Sequence, residues 1–319
     1  MSSSPVPIRD QVRLWGPESD VRLDERESIA YCRALAGGHY ENFSVLSSLV
    51  PSSLRDDFAA VYAFCRWSDD LADEIGDRTE SRALLQWWRR ELDDCIDGHP
   101  RHPVMCALSA TIRRHDLPAR PFHDLIDAFE QDQELTRYES WDQLLHYCAR
   151  SANPVGRLVL MLLGEPRDDE RFLPSDLICT ALQLTNHWQD VSRDILERDR
   201  IYIPTELLEI DRFEQRLRDS ASQGYSVDEA FLDESRQVIR SCVDRTEAMF
   251  QSGRVLLDRI KPESRPVIRL FIDGGSHVLN LVRHWNYETA IHRPRLSKFV
   301  KLGLVARAWT GARLAGRGR

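Results

Sequence analysis

Apolar residues recur at i, i+3, i+4 and i+7 through most of this chain, and no stretch alternates apolar with polar over the length of a strand. A period near 3.6 buries one face of a helix, whereas a half-buried strand needs a period of two. The pattern predicts helices over roughly 25–37, 52–75, 79–97, 102–115, 120–135, 140–164 with a break near Pro154, 172–197, 226–252 and 264–290. Pro51 with Ser52 and Ser53 marks a helix start, and Pro118, Pro121, Pro154, Pro174 and Pro204 mark other boundaries. Neither an internal repeat nor a Pro/Gly-rich linker interrupts 25–295. The expectation is one all-α domain over 25–295, its helices arranged around a central cavity. A flexible N-terminal arm (1–24) precedes it and a basic C-terminal tail (296–319) follows.

Hydrophobic residues make up 42% of the 319, enough for a sizeable core. Lys and Arg number 43 against 51 Asp and Glu, and a net charge of −8 argues against nucleic acid as the partner. The seven cysteines form no CxxC pair and sit mostly in apolar helical contexts, so they read as reduced core residues of a cytoplasmic protein. The opening MSSSPVPIRD lacks the apolar stretch of a signal peptide, and the longest apolar run, Leu158 to Leu163, is far short of a membrane span. From Thr289 onward there are eight Lys or Arg and no Asp or Glu, amid Phe299, Val300, Leu302, Leu304, Val305, Trp309 and Leu314. Two readings stand for that stretch: a basic amphipathic segment at the inner face of a membrane, or a solvated tail.

Two acidic clusters carry the chemistry. Asp69 and Asp73 lie in DDLAD, Asp190 and Asp194 in DVSRD, each pair at i and i+4 on one helix face. Such pairs repel unless something positive lies between them. Their flanks are apolar, including Phe58, Val61, Phe64, Leu71 and Ile75 around the first and Ile178, Leu184, Trp188 and Ile195 around the second. Acidic groups on mostly buried helices need partners. Two such faces meeting across a pocket would hold hard divalent cations, and Mg²⁺ bridges carboxylates to substrate phosphates. An acidic pair on a solvated face is the bland alternative. Extended backwards, the first stripe runs Tyr62, Arg66, Asp69, Asp73 and the second Gln183, Asn186, Asp190, Asp194. Arg66 can orient an Asp or meet a phosphate oxygen, and Asn186 offers a neutral oxygen ligand. A third segment, Tyr147 to Gly156, interrupts a helix with small residues, and Tyr147 either packs in the core or faces a cation.

The stretches His39-Tyr40-Glu41-Asn42-Phe43, Tyr62 to Arg66 with DDLAD, Tyr147 to Gly156, and Asn186-xx-Gln189-Asp190-xxx-Asp194 together resemble the squalene/phytoene synthases. The resemblance runs from about residue 28 to 300. It implies the trans-isoprenoid synthase fold and Mg²⁺-dependent isoprenoid diphosphate chemistry. It implies a metal–diphosphate site at Asp69, Asp73, Asn186, Asp190 and Asp194. Substrate contacts are implied at Arg66, Tyr62, Gln183, Gln189, His39 and Phe43, and a catalytic role at Tyr147.

Two departures bear on the substrate. Two-step condensing members of the family usually have a Lys or Arg where this chain has Glu41, and an Arg where it has Gln189. With Gly274-Gly275 and Arg293-Pro294-Arg295-Leu296, the pattern is similar to the bacterial hydroxysqualene synthases of hopanoid biosynthesis. That resemblance implies presqualene diphosphate as substrate, water as the quench and hydroxysqualene as product. Phe43, Tyr62 and Trp188 either stabilise a carbocation or pack in the core. The alternatives are a head-to-head farnesyl or geranylgeranyl transferase and, in another class, an inactive helical scaffold of the same fold. Contacts with pathway enzymes are compatible with each.

Overall fold

Why the segment around the first acidic cluster is helical follows from its inward residues. Phe58, Val61, Phe64, Leu71 and Ala72 are buried at helical spacing, and Asp56 and Asp57 sit in the first turn, where the helix field favours anions. The structure is a computed structural model that describes residues 6–38, 49–209 and 211–295. Among the described residues the regular elements are helices, and the sole β feature is an isolated bridge between Arg137 and Ile201. The described residues fall into two compact units, those up to 134 with 157–167, and 135–156 with those from 168 on. The 25–295 stretch expected as one domain is thus shared between both.

The first unit holds α1 (Ile8–Trp15), α2 (Glu25–Gly38), α3 (Arg55–Asp73), α4 (Arg78–Ile96), α5 (Pro103–His115) and α6 (Arg120–Gln131). Helix α3 packs against all the others. Its core is aromatic: Trp67 stacks on Trp88 with centroids 5.4 Å apart, and Phe64 meets Phe122 edge-on at 5.2 Å. Both indole N–H groups find acceptors, Trp88 on Ser68 Oγ at 2.9 Å and Trp67 on the Tyr31 hydroxyl at 2.9 Å. The Tyr31 hydroxyl donates in turn to Gln11 Oε1 at 2.6 Å. This ties α1 down, so the stretch expected as a loose arm contains a helix with Ile8 and Gln11 buried. Buried Asp57 collects Thr111, Arg114 and His115 at 2.7–3.0 Å, which fixes the start of α3 to α5.

The second unit holds α7 (Trp141–Ser151), α9 (Asp169–Gln189), α10 (Phe213–Gln223), α11 (Glu229–Gly253) and α12 (Arg265–His284); α8 (Asn153–Leu162) runs across the boundary between the units. Helix α9 is its hub, packing against α7, α11 and α12. The helix begins at Asp169, capped by the Asp168 carboxylate, so Pro174 lies inside it and marks no boundary. A proline there leaves the carbonyl four residues back without its donor. Arg259 Nη1 supplies that donor, bonding the Glu170 carbonyl at 2.8 Å.

The far end of α9 also departs from expectation. The helix predicted to run to 197 stops at Gln189, followed by a single turn, Val191–Arg193, and a π-helical turn, Asp194–Arg198. The cause is a competing bond: Ser192 N–H donates to the Thr289 carbonyl at 3.0 Å. Helix α12 likewise ends before the predicted 290. Asn286 and Tyr287 adopt positive φ of 51° and 60°, which turns the chain out of the helix and back across the end of α9.

Candidate functional site

The first acidic motif occupies the last turn of α3, so its carboxylates share that end with the orphan carbonyls of a helix C-terminus. Tyr62, Arg66, Asp69 and Asp73 are all half-buried, as one stripe should be. The buried member is Asp70, which the stripe left out. Arg66 grips it as a fork, Nε to Oδ2 at 2.9 Å and Nη2 to Oδ1, while Nη1 lies 3.5 Å from Asp69 Oδ2. Burial pushes the Asp70 carboxyl up to about 6 even though Arg66 opposes the shift. Burial also raises the Tyr62 hydroxyl. The Arg66 guanidinium therefore stands among acidic residues at the negative end of a helix. That field favours a cation, and Asp69 and Asp73 present the hard oxygen donors Mg²⁺ prefers.

The second motif is built differently. Asp190 is the residue on which α9 ends, and its amide-to-carbonyl link to Asp194 survives at 2.8 Å, so the i,i+4 relation holds beyond the helix proper. Both Asp190 oxygens are engaged by arginines: Arg293 Nε at 2.6 Å and Nη2 at 2.9 Å, with Arg193 Nη1 at 3.3 Å. Asp194 is buried, with Arg198 at 3.5 Å. Burial, then the Asp190 charge, pushes its carboxyl up to about 7 against the pull of Arg198, Arg193 and Arg200. Four guanidiniums (Arg193, Arg198, Arg200, Arg293) thus act on Asp190, Asp194 and Glu197. Where metal is expected at Asp190, the structure places Arg293. Among the described residues no group of three or more His, Cys, Asp and Glu has the geometry of a metal cluster.

Of the other expected residues, Asn186 is exposed and Gln183 half-buried. Gln189 donates its amide to the Pro294 carbonyl at 2.6 Å. Tyr147 is buried, its ring 5.6 Å from Tyr138, 5.9 Å from Tyr202 and 6.1 Å from His187. His187 stacks on Tyr202 with centroids 3.6 Å apart, and burial pushes its imidazole down to about 3, so it is neutral. Trp188 is fully buried and bonded to Thr246 Oγ1 at 2.8 Å, which resolves its two readings to core packing. His39, Glu41 and Phe43 and the 296–319 tail lie outside the described residues. No helix of the described residues is long and apolar enough to cross a membrane.

The sequence model of the family "Squalene/phytoene synthase" matches residues 36–300, a range that contains both acidic motifs, Tyr147 and Arg293. The chain belongs to the squalene/phytoene synthase family. This family of isoprenoid synthases is all-α, in agreement with the fold above. The chain is similar to the hydroxysqualene synthase of Zymomonas mobilis, 39% identical over 176 residues that cover 54% of this chain and 58% of the relative. That match spans a little over half of the relative's length. It is also similar to the hydroxysqualene synthase of Rhodopseudomonas palustris, 32% identical over 226 residues, 69% of this chain and 72% of the relative. Among solved structures it resembles the squalene synthase HpnC from Alicyclobacillus acidocaldarius, at 40% identity and a TM-score of 0.72. The match covers 83% of this chain and 96% of that one.

Sequence reasoning missed Arg293 as a partner of Asp190 and the aromatic pair Tyr138 and Tyr202. The Arg66–Asp70 fork was readable, because an Arg four residues before an Asp on a buried helix is a pairing signal. Nothing in local spacing links Arg293 to Asp190.

Proposed function

We propose that this protein converts presqualene diphosphate and water to hydroxysqualene and inorganic diphosphate, with Mg²⁺. The observation that carries the reading is Gln189. Where condensing relatives usually place an arginine, this chain has a neutral amide, used to hold the Pro294 carbonyl. A condensing enzyme must offset two diphosphates lying close together, and fixed cations do much of that work. One diphosphate needs fewer. The similarity to two hydroxysqualene synthases points the same way.

Asp69 and Asp73, and Asn186, Asp190 and Asp194 at the second motif, would hold Mg²⁺, which supplies charge neutralisation of the leaving diphosphate. The rest is assigned to the chain itself. Arg193, Arg198, Arg200 and Arg293 favour an anion at the second motif, so they stabilise the diphosphate as the C–O bond breaks and the electron pair leaves with it. Arg66 keeps Asp70 ionised and in place beside Asp69. The carbocation left behind rearranges as its cyclopropane opens. Tyr147 is assigned to the face of that cation, a contact worth about 1–2 kcal/mol. A water oxygen then bonds to the cation and its proton passes to solvent. The basic, acid-free stretch 296–319 supports peripheral contact with an anionic membrane as a further part of this reading.

The experiment is an incubation with Mg²⁺ and presqualene diphosphate in H₂¹⁸O without a nicotinamide. Hydroxysqualene carrying one ¹⁸O is expected. A product formed only when NADPH is added, and lacking ¹⁸O, overturns the water quench.

A further inference from the structure

The π-helical turn that starts at Asp194 ends on Asp199, whose φ of 55° and ψ of 41° are left-handed. The Asp194 carbonyl accepts the Asp199 N–H, five residues on, and the Arg200 N–H at 3.0 Å. The backbone at Asp194 is therefore held from 199 and 200. Turns of this kind are rare and are found mostly at functional positions. Glycine takes the left-handed conformation without strain, whereas a residue with a Cβ is disfavoured there. The backbone alone would call for glycine at 199, so the aspartate side chain has a task of its own.

Two arginines show what that task is. Arg137 Nη2 donates to Asp199 Oδ1 at 2.7 Å and its Nη1 to the Asp199 carbonyl, while Arg218 Nη2 donates to the same Oδ1. Arg218 Nη1 also reaches the Ile195 carbonyl, inside the turn, at 3.3 Å. Glu214 of α10 joins both arginines. Arg137 forks its carboxylate, Nε to Oε2 at 3.0 Å and Nη2 to Oε1 at 2.8 Å, and Arg218 Nη2 meets Oε1 at 3.0 Å. The backbone beside Arg137 is fixed as well, because the Ile201 N–H donates to the Thr136 carbonyl at 2.9 Å. Two cations and two anions thus close a neutral ring over the turn, tied to the Arg137 segment on one side and to α10 on the other. Asp199 and Glu214 are about half exposed, and exposed ion pairs add little to global stability. What the ring does hold is the local shape of the turn.

We infer that Asp199 is a positioning residue for Asp194: clamped by Arg137 and Arg218, it locks the π turn and so fixes where the Asp194 carboxylate stands relative to Asp190. Those two carboxylates repel each other, so a slack turn would let them separate. Mg²⁺ demands near-octahedral geometry and tolerates little misplacement of its oxygen ligands. The inference rests on the reading above that Asp190 and Asp194 hold Mg²⁺ with a diphosphate, but not on water as the quench.

The test is calorimetric binding of inorganic diphosphate as a function of Mg²⁺, well below the melting temperature. Wild type is compared with Asp199→Gly, Asp199→Asn, Arg218→Ala, Asp194→Asn and the double variant Asp199→Gly/Asp194→Asn. Asp199→Gly removes the carboxylate and leaves the left-handed conformation free of strain. It is expected to raise the half-saturating Mg²⁺ concentration about tenfold, the scale on which groups behind a metal ligand act, with circular dichroism unchanged. Asp199→Asn keeps an oxygen for the two arginines and tolerates the same backbone, so it should recover most of the loss. Arg218→Ala leaves residue 199 intact and should weaken Mg²⁺ in the same direction, which keeps the test intact if the glycine variant folds poorly. The double variant should bind no more weakly than Asp194→Asn alone, because Asp199 acts through Asp194. Additive losses in the double variant, or an unchanged Mg²⁺ dependence in Asp199→Gly and Arg218→Ala, overturn the positioning role. A wild-type Mg²⁺ dependence in Asp194→Asn overturns instead the metal reading on which it rests.

Discussion

Arg293 forks the Asp190 carboxylate across 103 residues of sequence, Nε on Oδ1 at 2.6 Å and Nη2 on Oδ2 at 2.9 Å. With the Gln189–Pro294 and Ser192–Thr289 bonds, it fastens the segment after α12 across the end of α9. The positive partner that an acidic pair demands therefore comes from the far end of the described chain.

Arg293→Ala leaves a largely buried carboxylate with Arg193 alone. Arg293 is itself about a third exposed, so the expected loss is about 1–3 kcal/mol, below the range for a fully buried pair. Urea denaturation measures it, and hydrogen exchange should quicken at 285–295. Lysine at this position should not restore the wild-type value, because it lacks the fork.

The two motifs should answer differently to Asp→Asn. Asp69→Asn touches no fork and is expected to lower turnover at least about a hundredfold with helicity and stability unchanged. Asp190→Asn should lower turnover comparably and also destabilise the protein, since it weakens the Arg293 fork. Steady-state kinetics beside urea melts separate the two. Wild-type turnover in Asp69→Asn would remove it from the metal assignment.

His102 gives a pH signature. Its ring stands edge-on to Trp67 at 4.4 Å and Trp88 at 4.8 Å, and Nδ1 accepts the Val104 amide at 3.1 Å. Burial holds its pKa well below 6.5, so the unfolded chain binds a proton there that the folded one does not. Stability from this group is complete above about pH 6.5 and falls below it by about 1.4 kcal/mol per pH unit. Buried carboxylates titrate with the opposite sign nearby, so the difference between wild type and His102→Asn is the quantity to follow. A difference that stays flat from pH 7 to 5 contradicts this.

Gly275→Ala should destabilise by about 1–3 kcal/mol, because its Cβ would overlap the Phe250 ring and Leu182. Gly274→Ala should not. Chemical denaturation of the pair tests whether adjacent glycines in one helix serve different ends.

Much of this was legible in the sequence where apolar residues repeat at helical spacing, as in α3, α4, α9 and α11. Helix α10 was missed because FEQRLRDSASQ is polar, with Phe213, Leu217, Ser220 and Ala221 as its only inward residues. Helix α1 is short and flanked by Ser and Pro, and the Gln11–Tyr31 bond that anchors it is a tertiary fact. Periodicity extended α9 through Asp190 because it registers which face is apolar, whereas the break comes from a bond to Thr289. For the site, spacing located both Asp pairs and the Arg66 stripe. It could not show that Asp70 is the buried member or that Arg293 meets Asp190, since the first depends on how α3 is packed and the second on the return of a distant segment.

The most direct test of the central claim is kcat/KM of the wild-type protein with Mg²⁺ for presqualene diphosphate against farnesyl diphosphate, products identified by mass spectrometry. The account predicts a preference of at least a hundredfold for presqualene diphosphate, about 2.7 kcal/mol in the barrier, with hydroxysqualene as product. Efficient condensation of farnesyl diphosphate, with presqualene diphosphate accumulating, would contradict it.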